Sequence, residues 1–455
     1  MSSLDSMGNI IKGSIPELKK RLIFTLLMLV VYRFGVFVPT PGVDVATLRA
    51  RLGFGDSGSS GTIFDLFNMF SGGSFENFSI FTLGIMPYIS VSIIIQFITP
   101  LFPALAALKK EGEAGRRILT RWTRQGTVVL ALFQSCMIAI GLQKSHLVLT
   151  PGIGFIFLTM VTLTAGTAFI MWLGEQITEH GIGNGISIII FAGIVARMPQ
   201  VFGQTIALAR GSVNPLLVIL GILFCVATFF LIVFVEKSAR KIPVQYPRRM
   251  VNNSMVSQKQ VQYIPLKVNM AGVIPPIFAS SLLMIPATIA GFVTNEKVKY
   301  FLSFLHPSNV WYNIVFAILI FIFCYYATAM MFNPEEMAEN MQKNGGFIPT
   351  VRPGKETADF FFDILNKLTF WGGIYIAAIC ILPRIIYSQL GLEAFSYVFG
   401  GTSILIVVGV VLDTMNQIQS ILVSRNYEEF MAKATKSKAG ISGAFGHKGG
   451  KLFRR

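Results

Sequence analysis

Three short patterns have the residue types that catalysis or ligand binding would use. GFGD at 53–56 has the form of the catalytic motif of an intramembrane aspartyl protease. That chemistry needs a second Asp from a neighbouring span, and none is in place; the loop is rich in Gly and Ser. GISG at 440–443 has the form of a rhomboid serine motif, but it sits in a Lys-rich tail outside any apolar run. GIGNG at 181–185 is Gly-rich, yet no strand precedes it, so it fits a tight turn between two spans better than a phosphate cradle. His146, His180, His306 and His447 are scattered with no zinc-site spacing, and no HExxH occurs. Cys136, Cys225, Cys324 and Cys380 each lie in an apolar run without a CxxC, as small buried hydrophobes do. The residues therefore point to no catalytic centre, no metal and no cofactor.

The elements around them explain why. Of 455 residues, 53% are hydrophobic and 13% charged, about half the charged share of a soluble chain. A soluble fold of that composition lacks the polar surface to cover itself. Ten apolar segments are long enough for membrane spans: 22–38, 78–102, 128–142, 153–173, 186–202, 216–235, 271–293, 311–332, 368–387 and 395–422. The third and fifth are short as drawn and are expected to extend into their flanks. The first lacks a small-residue cleavage site and reads as a retained span, with Arg33 near one end snorkelling to the interface.

Lys and Arg between and at the ends of these spans divide 29 to eight, with Arg33 inside the first span. That split predicts cytoplasmic N- and C-termini. The formal charge of +16 is then a cytoplasmic face and calls for no DNA. Ten spans divide into halves 1–202 and 203–422 of opposite orientation, the arithmetic of an inverted repeat, followed by a basic tail 423–455. The expected fold is an all-α polytopic membrane protein.

The fourth to ninth spans carry no Asp, Glu, Lys or Arg at their centres, and Asp413 in the tenth lies toward its cytoplasmic end. An ion-coupled secondary transporter with inverted repeats, the alternative reading, would place such groups at mid-membrane. Two cytoplasmic loops, 236–270 and 333–367, are long and basic. They fit either a topology signal or docking of a large cytoplasmic partner, RNA-bearing or not. On the outer side, Ile63, Leu66, Phe67 and Phe70 form a helical stripe that Gly72 and Gly73 end. That segment is either an interfacial helix or a re-entrant one.

Longer blocks carry a resemblance. FNMFSGG at 67–73, LGIMPYISVSIIIQ at 83–96, KKEGEAGRR at 109–117 and MWLGEQITEHGIGNGISIIIFAGIVA at 171–196 occur in order. They are followed by PLKVNMAGVIPPIFASS at 265–281, FNPEEMAENMQKNGGFIPTVRPGKET at 332–357 and FGGTSILIVVGVVLD at 399–413. Through nearly its whole length the chain resembles the SecY family, the channel subunits of the protein-secretion translocon.

The resemblance implies an hourglass channel of two five-helix halves hinged between the fifth and sixth spans, conducting unfolded secretory polypeptides across the bacterial cytoplasmic membrane. The second, third, seventh and eighth spans would border a lateral gate that releases membrane-protein helices to lipid. The implied constriction ring is Ile85, Ile89, Ile186, Ile190, Ile277 and Ile406. Each same-span pair is spaced i, i+4, on one helix face. The implied gate polar cluster is Ser90, Gln134 and Asn269, able to hydrogen-bond across a closed seam at roughly 1 kcal/mol per bond. The implied plug is 62–73, with Thr62, Ile63, Phe64, Asp65, Leu66, Phe67, Asn68, Met69 and Phe70. Arg248, Arg249, Arg352 and Lys355 would contact the SecA ATPase or the ribosome. In place of a second basic pair downstream of Arg249 stand Asn252, Asn253 and Ser254. SecE, SecG, signal sequences, nascent polypeptides and membrane lipids are the other implied partners; the channel itself would do no covalent chemistry.

Overall fold

The computed structural model describes residues 16–51, 68, 71–144, 148–149, 151–211, 215–245, 261–290, 309–389 and 399–446. Every one of the ten apolar segments contains a helix there. In chain order they lie in α1 (Pro16–Gly35), α3 (Met86–Leu101), α5 (Glu113–Lys144), α6 (Ile153–His180), α7 (Gly185–Gly211), α8 (Pro215–Lys237), α9 (Ile274–Ala290), α10 (Val310–Met331), α12 (Lys355–Gln389) and α13 (Gly401–Gly446). Short helices α2 (Val45–Arg51), α4 (Pro103–Lys110) and α11 (Pro334–Lys343) lie between them. Seven of the long helices are long and apolar enough to cross a membrane among the described residues. The outside of the bundle is itself apolar: on α8, Leu216, Ile219, Leu223, Phe230 and Phe234 are all exposed. That stripe suits hydrocarbon, not water. The molecule is an all-α polytopic membrane protein.

Six threonine hydroxyls inside these helices find partners without water. Thr123, Thr167, Thr205, Thr228, Thr328 and Thr414 each donate to the carbonyl four residues back, at 2.7–3.1 Å. Small residues let backbones touch. A Cβ at Gly166 would sit 1.9 Å from the Ile80 carbonyl, and one at Gly401 would sit 1.5 Å from that of Ile379.

Several boundaries differ from the sequence expectation. The third span belongs to a helix that begins at Glu113, so much of the first basic loop is helical. The second span does not begin at 78. Residues 71–85 are turns, with Phe78 at φ 40° and Gly84 at φ 56°, and α3 starts only at Met86, with Pro87 in its first turn. The tail expected from 423 is helical as far as Gly446, because α13 continues through a proline-free run that includes four Ala and three Lys. GISG thus lies within a helix, while GFGD lies outside the described residues.

Two groups of helices emerge from the packing. α1, α3, α5, α6 and α7 pack among themselves, as do α8, α9, α10, α12 and α13. The groups meet where α3 touches α9, where α7 touches α13, and where α7 touches α8. Contacts between chain turns follow the expected alternation of sides. At one end Val43 bridges Val148, and Pro39 bridges Ser79. At the other, the 181–184 turn meets α1 and α13: Thr25 Oγ1 accepts from the Ile182 N–H at 3.2 Å, and Gln417 Oε1 from the Gly183 N–H at 2.7 Å. Side chains of the protein thus occupy these N–H groups of GIGNG.

Among the described residues, the basic loop 236–270 holds a strand pair outside the all-α expectation. β1 (Ala239–Gln245) and β2 (Val261–Lys267) form an antiparallel pair, with Ile242 opposite Ile264 and Val244 opposite Gln262. Pro243 and Pro265 fit because each strand of a two-stranded ribbon has a free edge.

Candidate functional site

All six isoleucines of the expected ring lie in a single apolar cluster. Ile85, Ile89, Ile190, Ile277 and Ile406 are buried, and Ile186 is half-buried against the same cluster. They come from α3, α7, α9 and α13, so both helix groups contribute. Ile85 is the N-cap of α3, not a helical residue, yet its carbonyl accepts from the Ile89 N–H at 3.1 Å, so the pair still spans one hydrogen-bonded turn. Ile186 is set by Asn184, whose Oδ1 accepts from the Ile186 N–H at 3.1 Å. These six side chains offer no hydrogen bonds and no charge. Such a cluster can exclude water and close around chain of any sequence without holding it.

Of the expected plug, only Asn68 and residues 71–73 are described; Thr62, Ile63, Phe64, Asp65, Leu66, Phe67, Met69 and Phe70 lie outside the described residues. The segment's exit is anchored in detail. The Gly73 N–H donates to the Asn68 carbonyl at 2.9 Å, and Gly72 and Gly73 have φ of 66° and 91°, as at a helix C-terminus. Gly72 rests on α7, where a Cβ would meet the Gly193 Cα at 2.8 Å. Tyr32 Oη donates to the Ser71 carbonyl at 3.2 Å, and Arg33 donates to the Gly72 carbonyl at 2.7 Å. Arg33 therefore does not simply snorkel. Its guanidinium pins this turn and sits 5.0 Å from the Phe37 ring centroid. A second tie is the ion pair of Glu76 with Arg197 of α7, at 3.3 Å and with both side chains largely shielded. On the same side, Asp44 caps α2. Hydrogen bonds from Thr47 hold its carboxyl below the usual carboxylate range.

Where α3 meets α9 and α10, the two groups share a seam. Ser281 Oγ of α9 donates to Met86 Sδ at 3.9 Å. Phe97 of α3 stacks on Tyr326 of α10 with centroids 3.9 Å apart, and meets Phe323 edge-on at 5.4 Å. Phe278 of α9 meets Phe323 at 5.9 Å. Tyr326 Oη donates to the Gln96 carbonyl. The polar trio expected here does not bond to itself. Ser90 is buried on α3, and Gln134 on α5 has its Oε1 buried without a hydrogen-bond partner. Asn269 turns away. Its amide donates to Glu236 at the end of α8 and to the Gly272 carbonyl at 3.2 Å, and its Oδ1 accepts from the Gly272 N–H at 3.0 Å. A carboxylate is the stronger acceptor, so Glu236 takes the amide that was expected to reach across the seam. Glu236 was legible only as an acid ending an apolar run.

The two basic loops form one unit. Ile242, Val244 and Leu266 of the hairpin share a core with Met341 of α11, Ile348, and Phe361 and Ile364 of α12. Gln245 and Phe347 exchange backbone hydrogen bonds, 2.9 Å each way. Arg352 and Lys355 are exposed on this unit, Lys355 as the first residue of α12. Arg248 and Arg249 lie outside the described residues.

Comparisons with known proteins agree on one family. The SecY family model matches residues 79–415. The protein translocase subunit SecY of Escherichia coli K12 is 47% identical over 432 residues, covering 93% of this chain and 96% of that one. A solved structure described as a protein conducting channel has a TM-score of 0.63 at 17% identity, covering 90% of this chain and 94% of that one. Sec61 in a canine ribosome-channel complex from the endoplasmic reticulum has a TM-score of 0.57 at 16% identity, covering 90% and 94%. With a family model over most of its length and a relative 47% identical over 93% of this chain and 96% of that one, this chain belongs to the SecY family.

Proposed function

We propose that this SecY-family chain is the protein-conducting subunit of a translocase in the bacterial cytoplasmic membrane, with both termini in the cytoplasm. The observation that carries the reading is the meeting of Ile85, Ile89, Ile186, Ile190, Ile277 and Ile406 from both helix groups in one apolar cluster. Parting the groups would open a path lined by groups that neither bind nor repel a passing chain. The anchored turn at 71–73 fits the base of a plug over that constriction. The α3 seam with α9 and α10 fits a lateral exit for signal sequences and nascent membrane helices, since the bonds described across it are side-chain contacts and one hydroxyl on a backbone carbonyl. Ser90 lies on α3, Gln134 on the adjoining α5, and Asn269 tethers the start of α9 to α8.

The hairpin unit with Arg352 and Lys355 fits a platform for the SecA ATPase or the ribosome, with Arg248 and Arg249 on its connecting segment. The ribosome-bound Sec61 relative supports the second partner. SecE and SecG are the expected small subunits. The chain supplies passage and a seal, and a partner supplies the energy, so no covalent chemistry is assigned to it. The test is reconstitution of the chain with SecE and SecG in vesicles, with SecA and ATP outside. An unfolded precursor should become protease-protected inside only when the chain is present. Absence of protection with an intact complex would refute the reading.

A further inference from the structure

Pro100 lies inside α3. A helical carbonyl accepts from the N–H four residues on, and proline has none. The Gln96 carbonyl is therefore without a partner in its own helix. In a setting without water such an orphan is costly, and a neighbouring helix or side chain takes it up. Here the donor comes from across the seam, the hydroxyl of Tyr326 on α10. The ring of the same tyrosine stacks on Phe97, one residue along α3, with an interplanar angle of 11°. The Gln96 side chain does not compete, because its Nε2 donates to Ser92 at 3.1 Å. One side chain of α10 is thus fixed by two features of α3, a carbonyl freed by proline and an aromatic face.

We propose that Tyr326 is a specificity-determining residue of the seam: by capping the carbonyl that Pro100 frees, it sets how apolar a segment must be to part α3 from α10. The inference rests on the reading of this seam as the lateral exit. An apolar helical segment entering there offers hydrocarbon contact, but its N–H groups are spent within its own helix. It cannot replace the lost O–H donor. Each opening leaves the Gln96 carbonyl uncapped. A strongly apolar segment offsets that loss, and a marginal one does not.

The test uses the full chain in its reconstituted complex and two precursors, one with a normal signal segment and one with a shortened apolar core. Tyr326→Phe keeps the ring and removes the donor. It should raise protection of the weakened precursor, relative to the normal one, by about threefold, the weight of an average interhelical hydrogen bond in a membrane. Pro100→Ala restores an N–H for Gln96 within α3, so Tyr326→Phe should add little in that background. An unchanged precursor ratio for Tyr326→Phe would overturn the proposal. So would an equal gain with and without Pro100, which would place the hydroxyl's effect elsewhere. If the parent fails with the normal precursor, the channel reading falls and this inference with it, a failure distinct from the other two.

Discussion

Replacing Phe361 by Ala should release the hairpin from the rest of the basic unit. Phe361 is fully buried at the centre of the core formed by Ile242, Val244, Leu266, Met341, Ile348 and Ile364. Alanine is the better helix former, so α12 itself should survive. What is lost is packing: truncating a buried Phe costs about 3–5 kcal/mol through lost burial and the remaining cavity. Every ~1.4 kcal/mol is a factor of ten, so local opening should rise by about a hundredfold or more. The reporters are the amides of Gln245 and Phe347, which bond to each other at 2.9 Å and join the two loops. Hydrogen exchange by mass spectrometry, on the chain in lipid nanodiscs, should show both losing protection together. Phe362, the next residue, is 63% exposed, and Phe362→Ala should leave both amides as they were. Protection within about threefold of the parent in Phe361→Ala would show that the loops do not depend on a shared core.

Arg352→Glu should cripple SecA-driven translocation at normal protein levels, since the side chain is exposed and its loss removes no packing; full activity at normal abundance would remove Arg352 from the contact. Labelling of single cysteines from outside should reach positions 57 and 297 and miss 259 and 355, and the reverse pattern would overturn the orientation. Glu76→Gln, which removes the charge facing Arg197, should lower stability by about 1–3 kcal/mol, less than a fully buried pair would because both groups retain some solvent access. Exchanging the two charges should restore part of the lost thermal midpoint, and no recovery would mean the pair is not what holds the turn.

The apolar segments made the ten helices legible, because a span must be long and apolar whatever it packs against. Their ends were less so. Met86 begins α3 because Gly84 and Pro87 shape the entry, a local effect hidden within a continuous apolar run. The hairpin was missed although Ile242, Val244, Ile264 and Leu266 alternate as a strand should, because two prolines and several Lys and Arg made the stretch look like loop. The six isoleucines came from the family resemblance; composition alone could not separate them from dozens of lipid-facing neighbours. Asn269 shows the other limit. Its partner, Glu236, is 33 residues away in the chain, and only the fold says that this carboxylate is nearer than Ser90 or Gln134.

The proposed path for polypeptide runs through Ile85, Ile89, Ile186, Ile190, Ile277 and Ile406. Replacing these together by Ser keeps small uncharged side chains but exchanges an apolar constriction for a wider, wettable one. Ion conductance of the resting complex across planar bilayers measures the consequence directly. The ring variant should conduct ions where the parent is tight, and deletion of 62–70 should leak less than it does, because neighbouring loop residues can fill in for a plug while nothing replaces the ring. A ring variant as tight as the parent, folded and present in the bilayer, would place the path elsewhere.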